Sequence, residues 1–404
     1  MADKRIVITG LGIIASNGIG KDAFSEAIFA GVSGIKQISL FDTAGLKTKT
    51  AGEIKDFSPQ DFLGPKGLRT LDRSTKLAAS VAKLALDDAH LEITENNSAQ
   101  IGVVLGTTLG SVNSIMEFDK EAILEGPYYV NPALFPNTVI NSPASQVSIK
   151  FNIKGFNSTI STGFCASLDA IGYAVDLLEA GKAKIVLAGG VEELCIQVYL
   201  GFSKTGCLAG LKQGSLELSC PFDKRRNGVI FGEGAAVLLL ESLESAQNRK
   251  AEIYAQISGT GMAFGNGSGL KRAMSIALEN AKFNTGDIDC ICSAANSTVA
   301  VDLQETEAIK DVFKDKAEKI NISAVKSMTG ECYSASAAIQ AVSAVLAIEK
   351  QAIPPTINYE VKDEQCDLNY VVNQACNCEV NNVLINAFGP GGCNSSLIIS
   401  RFKG

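Results

Sequence analysis

The chain has 404 residues, 46% of them hydrophobic and 20% charged, which suits a folded protein with a sizeable core and excludes a disordered chain. Its formal charge of −7 argues against nucleic acid as the main partner, because phosphate binding needs a basic surface. No window reaches the ~18 uninterrupted apolar residues of a membrane span and no signal-peptide core opens the chain, so a cytoplasmic protein with no membrane partner is expected.

Eleven cysteines are scattered along the sequence, and His90 is the only histidine. Cys290/Cys292 and Cys376/Cys378 form C-x-C pairs, but no second pair lies at zinc-finger spacing. Reduced cytosolic thiols used as small core residues are the expected reading, with no metal site.

In chain order, residues 5–14 are a continuous apolar strand that runs into a glycine turn, the mark of a strand covered on both faces. Gly10-x-Gly12 lacks the third glycine of a dinucleotide-binding fingerprint, which argues against a nucleotide site. Residues 72–90 carry Leu77, Val81, Leu84 and Leu86 at helical spacing, with His90 as a surface residue near the helix end. Residues 101–110 form another buried strand and turn, followed by a segment, 111–125, whose Ile115, Met116 and Phe118 fit a core face or an interface equally well.

The central stretch is 158–174. β-branched Thr159, Ile160 and Thr162 predict a buried strand, Gly163 a tight turn, and Leu168, Ile171, Val175 and Leu178 a helix that Gly181 stops. A residue on such a turn sits at a helix N-terminus, where backbone N–H groups favour a thiolate or an oxyanion. Residues 183–192 give the next parallel strand. Lys224-Arg225-Arg226 reads as a solvated turn, and 242–250 as a polar helix. A second series of strand candidates follows at 253–258, 288–294, 320–325, 383–387 and 394–400. Strands alternating with helices predict an α/β fold, without sequence repetition strong enough to call a repeat.

Several of these stretches resemble the β-ketoacyl synthases of the thiolase-like superfamily. Ile-Val-Ile-Thr-Gly-Leu-Gly at 6–12 is similar to their opening strand, and Ala-Gly-Gly-Val-Glu at 188–192 to their Val-x-Ala-Gly-Gly-x-Glu. Pro-Phe-Asp-Lys-Arg-Arg-Asn-Gly-Val-Ile-Phe-Gly-Glu-Gly-Ala at 221–235 is the longest near-identity. The resemblance runs over nearly the whole chain. It implies a five-layered αβαβα fold with two pseudo-symmetric halves, residues 1–250 and 251–404, each with a mixed sheet. It also implies that the strand at 158–162 pairs across a dimer.

Ketosynthases join acyl units by decarboxylative Claisen condensation: a cysteine carries the acyl chain, and two histidines assist decarboxylation and stabilise the enolate and oxyanion. Laid on the family pattern Ser-Thr-(Gly/Ala)-Cys-Thr-Ser-Gly-Leu-Asp without a gap, Ser161-Thr162-Gly163 and Leu168-Asp169 match. The nucleophile position then holds Phe164, with Cys165 one residue later. The two histidine positions fall on Ala294 and Glu331, and Glu305 with Lys326 matches a supporting pair of the family. In the gate loop Phe388 is kept, whereas the gating aromatic is replaced by Pro390, which stiffens the loop.

A ketosynthase relative with nucleophile and histidines replaced is similar to the chain length factor, the β subunit of type II polyketide synthases. The implied partners are a homologous ketosynthase α subunit, in a heterodimer, and an acyl carrier protein bearing malonyl or polyketide chains. No metal or organic cofactor is implied. The family's tunnel-lining stretch maps onto Ser111, Ser114 and Phe118, with Phe118 as the floor of a pocket that measures chain length by excluded volume. Phe164 departs from the Gln that many chain length factors hold there. Three readings remain beside this one: an acyltransferase with Cys165 as nucleophile, its pKa lowered by helix N–H groups; a decarboxylase-type ketosynthase that primes chains, which would keep the histidines; and a structural partner with no part in setting length.

Overall fold

Residues 6–15 are an almost unbroken apolar run and are buried throughout, as strand β1 (Ile6–Ala15) of a large central sheet. The computed structural model describes residues 5–404. β1 does not turn at its glycines. It runs straight through them, because helix α1 (Arg73–Asp88) lies against it so closely that a Cβ at Gly10 or Gly12 would meet the carbonyl oxygens of Ala85 and Val81. Asp72 starts α1 by accepting from the Thr75 N–H at 2.7 Å.

Apart from two-residue strands, the first half also holds β2 (Ile101–Gly106), β3 (Asn157–Ile160), β4 (Ile185–Glu192) and β5 (Gly234–Ser242). They line up as β3-β2-β4-β5-β1, with β2 parallel to β3 and β4, and β5 antiparallel to β4 and β1. The second half supplies β6 (Ala255–Phe264), β7 (Cys290–Cys292), β8 (Asn321–Ser323), β9 (Asn382–Phe388) and β10 (Cys393–Ser400). Their order, β8-β7-β9-β10-β6, repeats the first half strand for strand and direction for direction. The half-sheets meet only where β1 and β6 pair antiparallel, over Ile6↔Ile257, Val7↔Gln256 and Ile8↔Ala255. The duplication invisible in the sequence is therefore explicit in the topology.

Helices complete the layers. The longer ones of the first half are α1, then α2 (Val112–Leu124), α3 (Ser142–Phe151), α4 (Ala166–Glu179) and α5 (Ile196–Thr205). The second half adds α6 (Ser268–Ala281), α7 (Val299–Phe313) and α8 (Ser334–Lys350). α1 and α3 cover the outer face of the first half-sheet around Leu77, Val81 and Val147. α6 and α7 cover the outer face of the second around Leu270, Met274 and Phe313. Between the sheets, α4 and α8 share one apolar core with strands of both halves. Residues Ser334 to Ile348 of α8 are buried without a break, so this helix has no solvent face. The result is the five-layered αβαβα arrangement of the thiolase-like ketosynthases.

Three further local expectations change. The strand at 158–162 is not buried: β3 is the sheet's edge, exposed at Asn157 and half-buried at Ser158, Thr159 and Ile160, and it stops before Ser161. No residue of α2 is buried, so Ile115, Met116 and Phe118 are not core. The basic run is not a solvated turn, since only Lys224 is exposed. Arg226 is buried, its Nη1 donating to Asp363 at 2.5 Å and its Nε 3.6 Å from Asp302 of α7. Arg225 pairs with Asp223 at 2.9 Å and with Glu360 at 2.5 Å. The loop of the first half is thus stapled to the second by charge. Among the described residues no helix is long and apolar enough to cross a membrane.

Removing one partner of a buried ion pair strands the other. Arg226→Ala should therefore cost about 3–5 kcal/mol in urea unfolding, whereas a surface change such as Lys224→Ala should stay within about 0.5 kcal/mol.

Candidate functional site

At the end of β3 the chain turns at Gly163, whose φ of +67° is a conformation that favours glycine, and a single 3₁₀ turn (Gly163–Cys165) leads into α4. Phe164 points inward from this turn. Its ring meets Tyr333 edge-on at 5.7 Å and Phe202 of α5 at 6.5 Å. Phe231 stacks on Tyr333 at 4.5 Å, and Phe202 lies 4.6 Å from Phe231. Four rings thus fill the space in front of the helix, at separations that favour aromatic contact. Gly389 lies directly over them: a Cβ there would come within 2.8 Å of the Phe164 ring.

Phe388 is buried at the end of β9, whereas Pro390 is exposed at the loop tip with its carbonyl facing Gly163. Proline has no N–H, so residue 390 brings no backbone donor to the turn. A developing oxyanion would lack a ligand there.

Cys165 does not behave as an activated thiol. It is fully buried, and its S–H donates to the carbonyls of Ala387 at 3.2 Å and Cys393 at 3.3 Å. Burial raises its pKa well above the ordinary thiol range, and the nearby Asp169 raises it further. The lowering expected from helix N–H groups is overturned, because burial away from water penalises the thiolate more than the Ser395 hydroxyl relieves it.

The pairing of the two expected supporting residues also differs. Lys326 bonds to Glu331, Nζ to Oε2 at 2.8 Å, and to the Ala294 carbonyl at 2.9 Å. Glu331 further accepts from Asn296 at 3.0 Å and from Ser336 at 2.6 Å. Glu305 instead accepts from Ser293 at 2.5 Å, the Ala294 and Ala295 N–H groups at 3.0 and 2.8 Å, and Asn386 at 3.0 Å. Burial pushes the Glu305 carboxyl above its ordinary range. Ala294 is buried and offers no side-chain donor. The structure thus brings Phe164, Ala294, Lys326 and Glu331 into one region with their polar groups already partnered, and Cys165 behind it.

Asn296, Ser336, Tyr333, Phe202 and Phe231 were not found from sequence. Asn296 and Ser336 lie close to expected positions and had a signal in that proximity. The aromatic partners come from distant segments, and nothing in their spacing joins them to Phe164.

Sequence models of the β-ketoacyl synthase N-terminal and C-terminal domains match residues 3–246 and 243–360. The chain belongs to the β-ketoacyl synthase family. It is 36% identical to a 3-oxoacyl-[acyl-carrier-protein] synthase 2 of Coxiella burnetii and 35% identical to that of a Synechocystis strain, each match covering 99% of both chains. Among solved structures it resembles the ishigamide ketosynthase/chain length factor, with 33% identity, a TM-score of 0.92 and full coverage of both chains. It also resembles a type II polyketide synthase acyl-carrier protein in complex with its ketosynthase bound to the hexaketide, with 30% identity, a TM-score of 0.91 and full coverage.

In this β-ketoacyl synthase family member the three expected tunnel residues do not share one surface. Ser114 and Phe118 line an open groove of about 390 Å³ with Asp72, Asn113, Glu117 and Leu134. Ser111 is buried at the start of α2, its hydroxyl without a hydrogen-bond partner. Phe118 leans on Phe135 at 6.0 Å.

Beneath α2, burial pushes Glu192 up to about 7 although Thr107 and Ser334 donate to it at 2.8 and 2.9 Å. Burial, with the charge of Asp72, pushes Glu193 up to about 8. Both are held protonated by the fold beyond their unfolded pKa of about 4.3. Stability should therefore fall as pH rises from about 4.5 to about 8, and Glu193→Gln should flatten part of that slope in denaturant titrations across pH. In the same measurement at fixed pH, Phe164→Ala should cost about 3–5 kcal/mol by leaving a cavity among the rings.

Proposed function

We propose that this protein is a non-catalytic partner subunit of an active β-ketoacyl synthase, of the chain-length-factor kind, working in type II polyketide biosynthesis. In this reading it forms a heterodimer with a homologous ketosynthase. An acyl carrier protein delivers malonyl and growing chains to that partner, and this chain closes the far end of the acyl tunnel. The observation that carries the reading is the ring of Phe164, seated where a nucleophile would be and sealed under Gly389. A ring there cannot carry an acyl group. The Lys326–Glu331 pair adds to this, because it uses the local cation to neutralise a carboxylate rather than an enolate. The likeness to a solved ketosynthase/chain length factor agrees. A length-setting role would fall to Ser114 and Phe118 on the groove, with Ser111 supporting the first turn of α2.

A second reading, a condensing enzyme that uses Cys165, draws on the 36% identity to a named synthase. The buried, acceptor-bound sulfur of Cys165 disfavours it. Co-expression with candidate ketosynthase subunits, followed by intact mass of the purified complex after incubation with malonyl-loaded carrier protein, decides between them. A heterodimer in which the partner alone gains acyl mass is the expected outcome. Acyl mass on this chain that disappears in Cys165→Ala would sink the proposal. In the same complex Phe118→Ala should lengthen the product, and unchanged length would leave a partner subunit with no ruler.

A further inference from the structure

Cys376 and Cys378 lie at the surface of the second half, both half-buried and both free, with Asn377 and Glu379 exposed beside them. Cys376–Asn377 is a two-residue strand paired antiparallel with Ala352–Ile353, and residues two apart on a strand share a face. The Cys378 thiol folds back along this strand. It lies 3.7 Å from the Cys376 carbonyl and within hydrogen-bond reach of the Cys376 thiol.

Gln351 fixes this geometry. It follows the last residue of α8 in a left-handed conformation, with φ of +52°. Its carbonyl accepts from the Cys378 N–H at 3.1 Å. Its side chain holds Val380 from both sides: Oε1 accepts from the N–H at 3.1 Å and Nε2 donates to the carbonyl at 2.9 Å. The two thiols therefore sit on the chain that clamps the C-terminal end of the central buried helix.

We propose that Cys376 and Cys378 form a reversible dithiol–disulfide couple, oxidised by small-molecule disulfides of the glutathione class, that acts on the end of α8. Burial, the neighbouring Cys376 thiol and Asp289 push the Cys378 thiol up to about 11, which leaves the first attack to Cys376. Its sulfur bonds to one glutathione sulfur, the small disulfide breaks, and the other glutathione leaves as a thiol. In the mixed disulfide Cys376 no longer repels a charge on Cys378, whose sulfur then displaces the second glutathione. The chain gives up two hydrogens and two electrons, and oxidised glutathione becomes two reduced glutathione molecules.

The span of the pair makes the bridge reversible. Two residues of extended chain cover about 6.6 Å, close to the upper limit of about 6.8 Å between the Cα atoms of a disulfide. The strand must contract to close the bond, and a strained, exposed bridge stays open to reduction. Contraction also draws the Cys378 N–H away from the Gln351 carbonyl, so oxidation loosens the last turn of α8.

The full chain, with Cys376→Ser and Cys378→Ser beside it, is equilibrated in glutathione buffers from reducing to oxidising. Each sample is acid-quenched, alkylated and read by intact mass and peptide mapping. Wild type should lose two hydrogens, with Cys376 linked to Cys378, and dithiothreitol should restore both thiols. Cys378→Ser should stop with one glutathione on Cys376. Hydrogen exchange of the bridged wild type should show a loss of amide protection at 345–351 that reduction reverses. The decisive readouts are on wild type, so they stand even where a serine variant fails to fold. A wild-type chain that stays reduced in excess oxidised glutathione, keeps glutathione on either cysteine, or joins either one to another cysteine overturns the couple. A bridged chain with unchanged protection at 345–351 overturns its action on α8.

Discussion

An ammonium group in a water-free interior must be neutralised, and in this protein Lys326 imposes that demand on the centre of the fold. Its side chain is almost wholly buried, and Glu331 supplies the matching charge, itself fixed by Asn296 and Ser336. Removing either ion would leave the other unpaired in a region that cannot hydrate it. The pair also joins the loop after β7, the turn at Lys326 and the first turn of α8, so a charge requirement has become a structural clamp. A site built to stabilise a transient negative charge needs donors that stay free until that charge forms. Here the Lys326 ammonium is already engaged by Glu331 and the Ala294 carbonyl.

The apolar side of the region follows the same logic. Phe164, Phe202, Phe231 and Tyr333 occupy one volume and present their faces and edges to each other. The glycine at 389 lets the loop settle on that volume, and the proline at 390 limits how the loop moves away. Polar and apolar changes thus reinforce each other: a filled pocket needs no gate, and a cation already paired with Glu331 gains nothing from an opening.

Much of this was legible in the sequence because local rules govern it. β1, α1, the Gly163 turn and α4 follow from apolar periodicity, an N-capping Asp72 and a glycine at a positive φ. The replacements at Phe164, Ala294 and Glu331 could be read from register alone. What escaped depended on contacts between distant segments. The partner of Lys326 was misassigned, since a pairing between side chains leaves no trace in spacing. Arg226 looked solvated because a run of three charges says nothing about which of them turns inward towards Asp302 and Asp363. The edge position of β3 was hidden because β-branched residues suit an edge and a centre alike. The glycines of β1 suggested a turn, but they serve helix packing.

The junction between the two half-sheets has a consequence for how the molecule holds together. Three residue pairs of β1 and β6 are a slender backbone link for so large a sheet. The halves are bound far more by α4 and α8, which belong to one half each and are coated by both. Separating the halves would expose the buried circumference of α8 and the inner faces of both sheets together. Neither half has a complete apolar envelope of its own, so the duplicated chain should melt as one cooperative unit rather than as two domains in sequence.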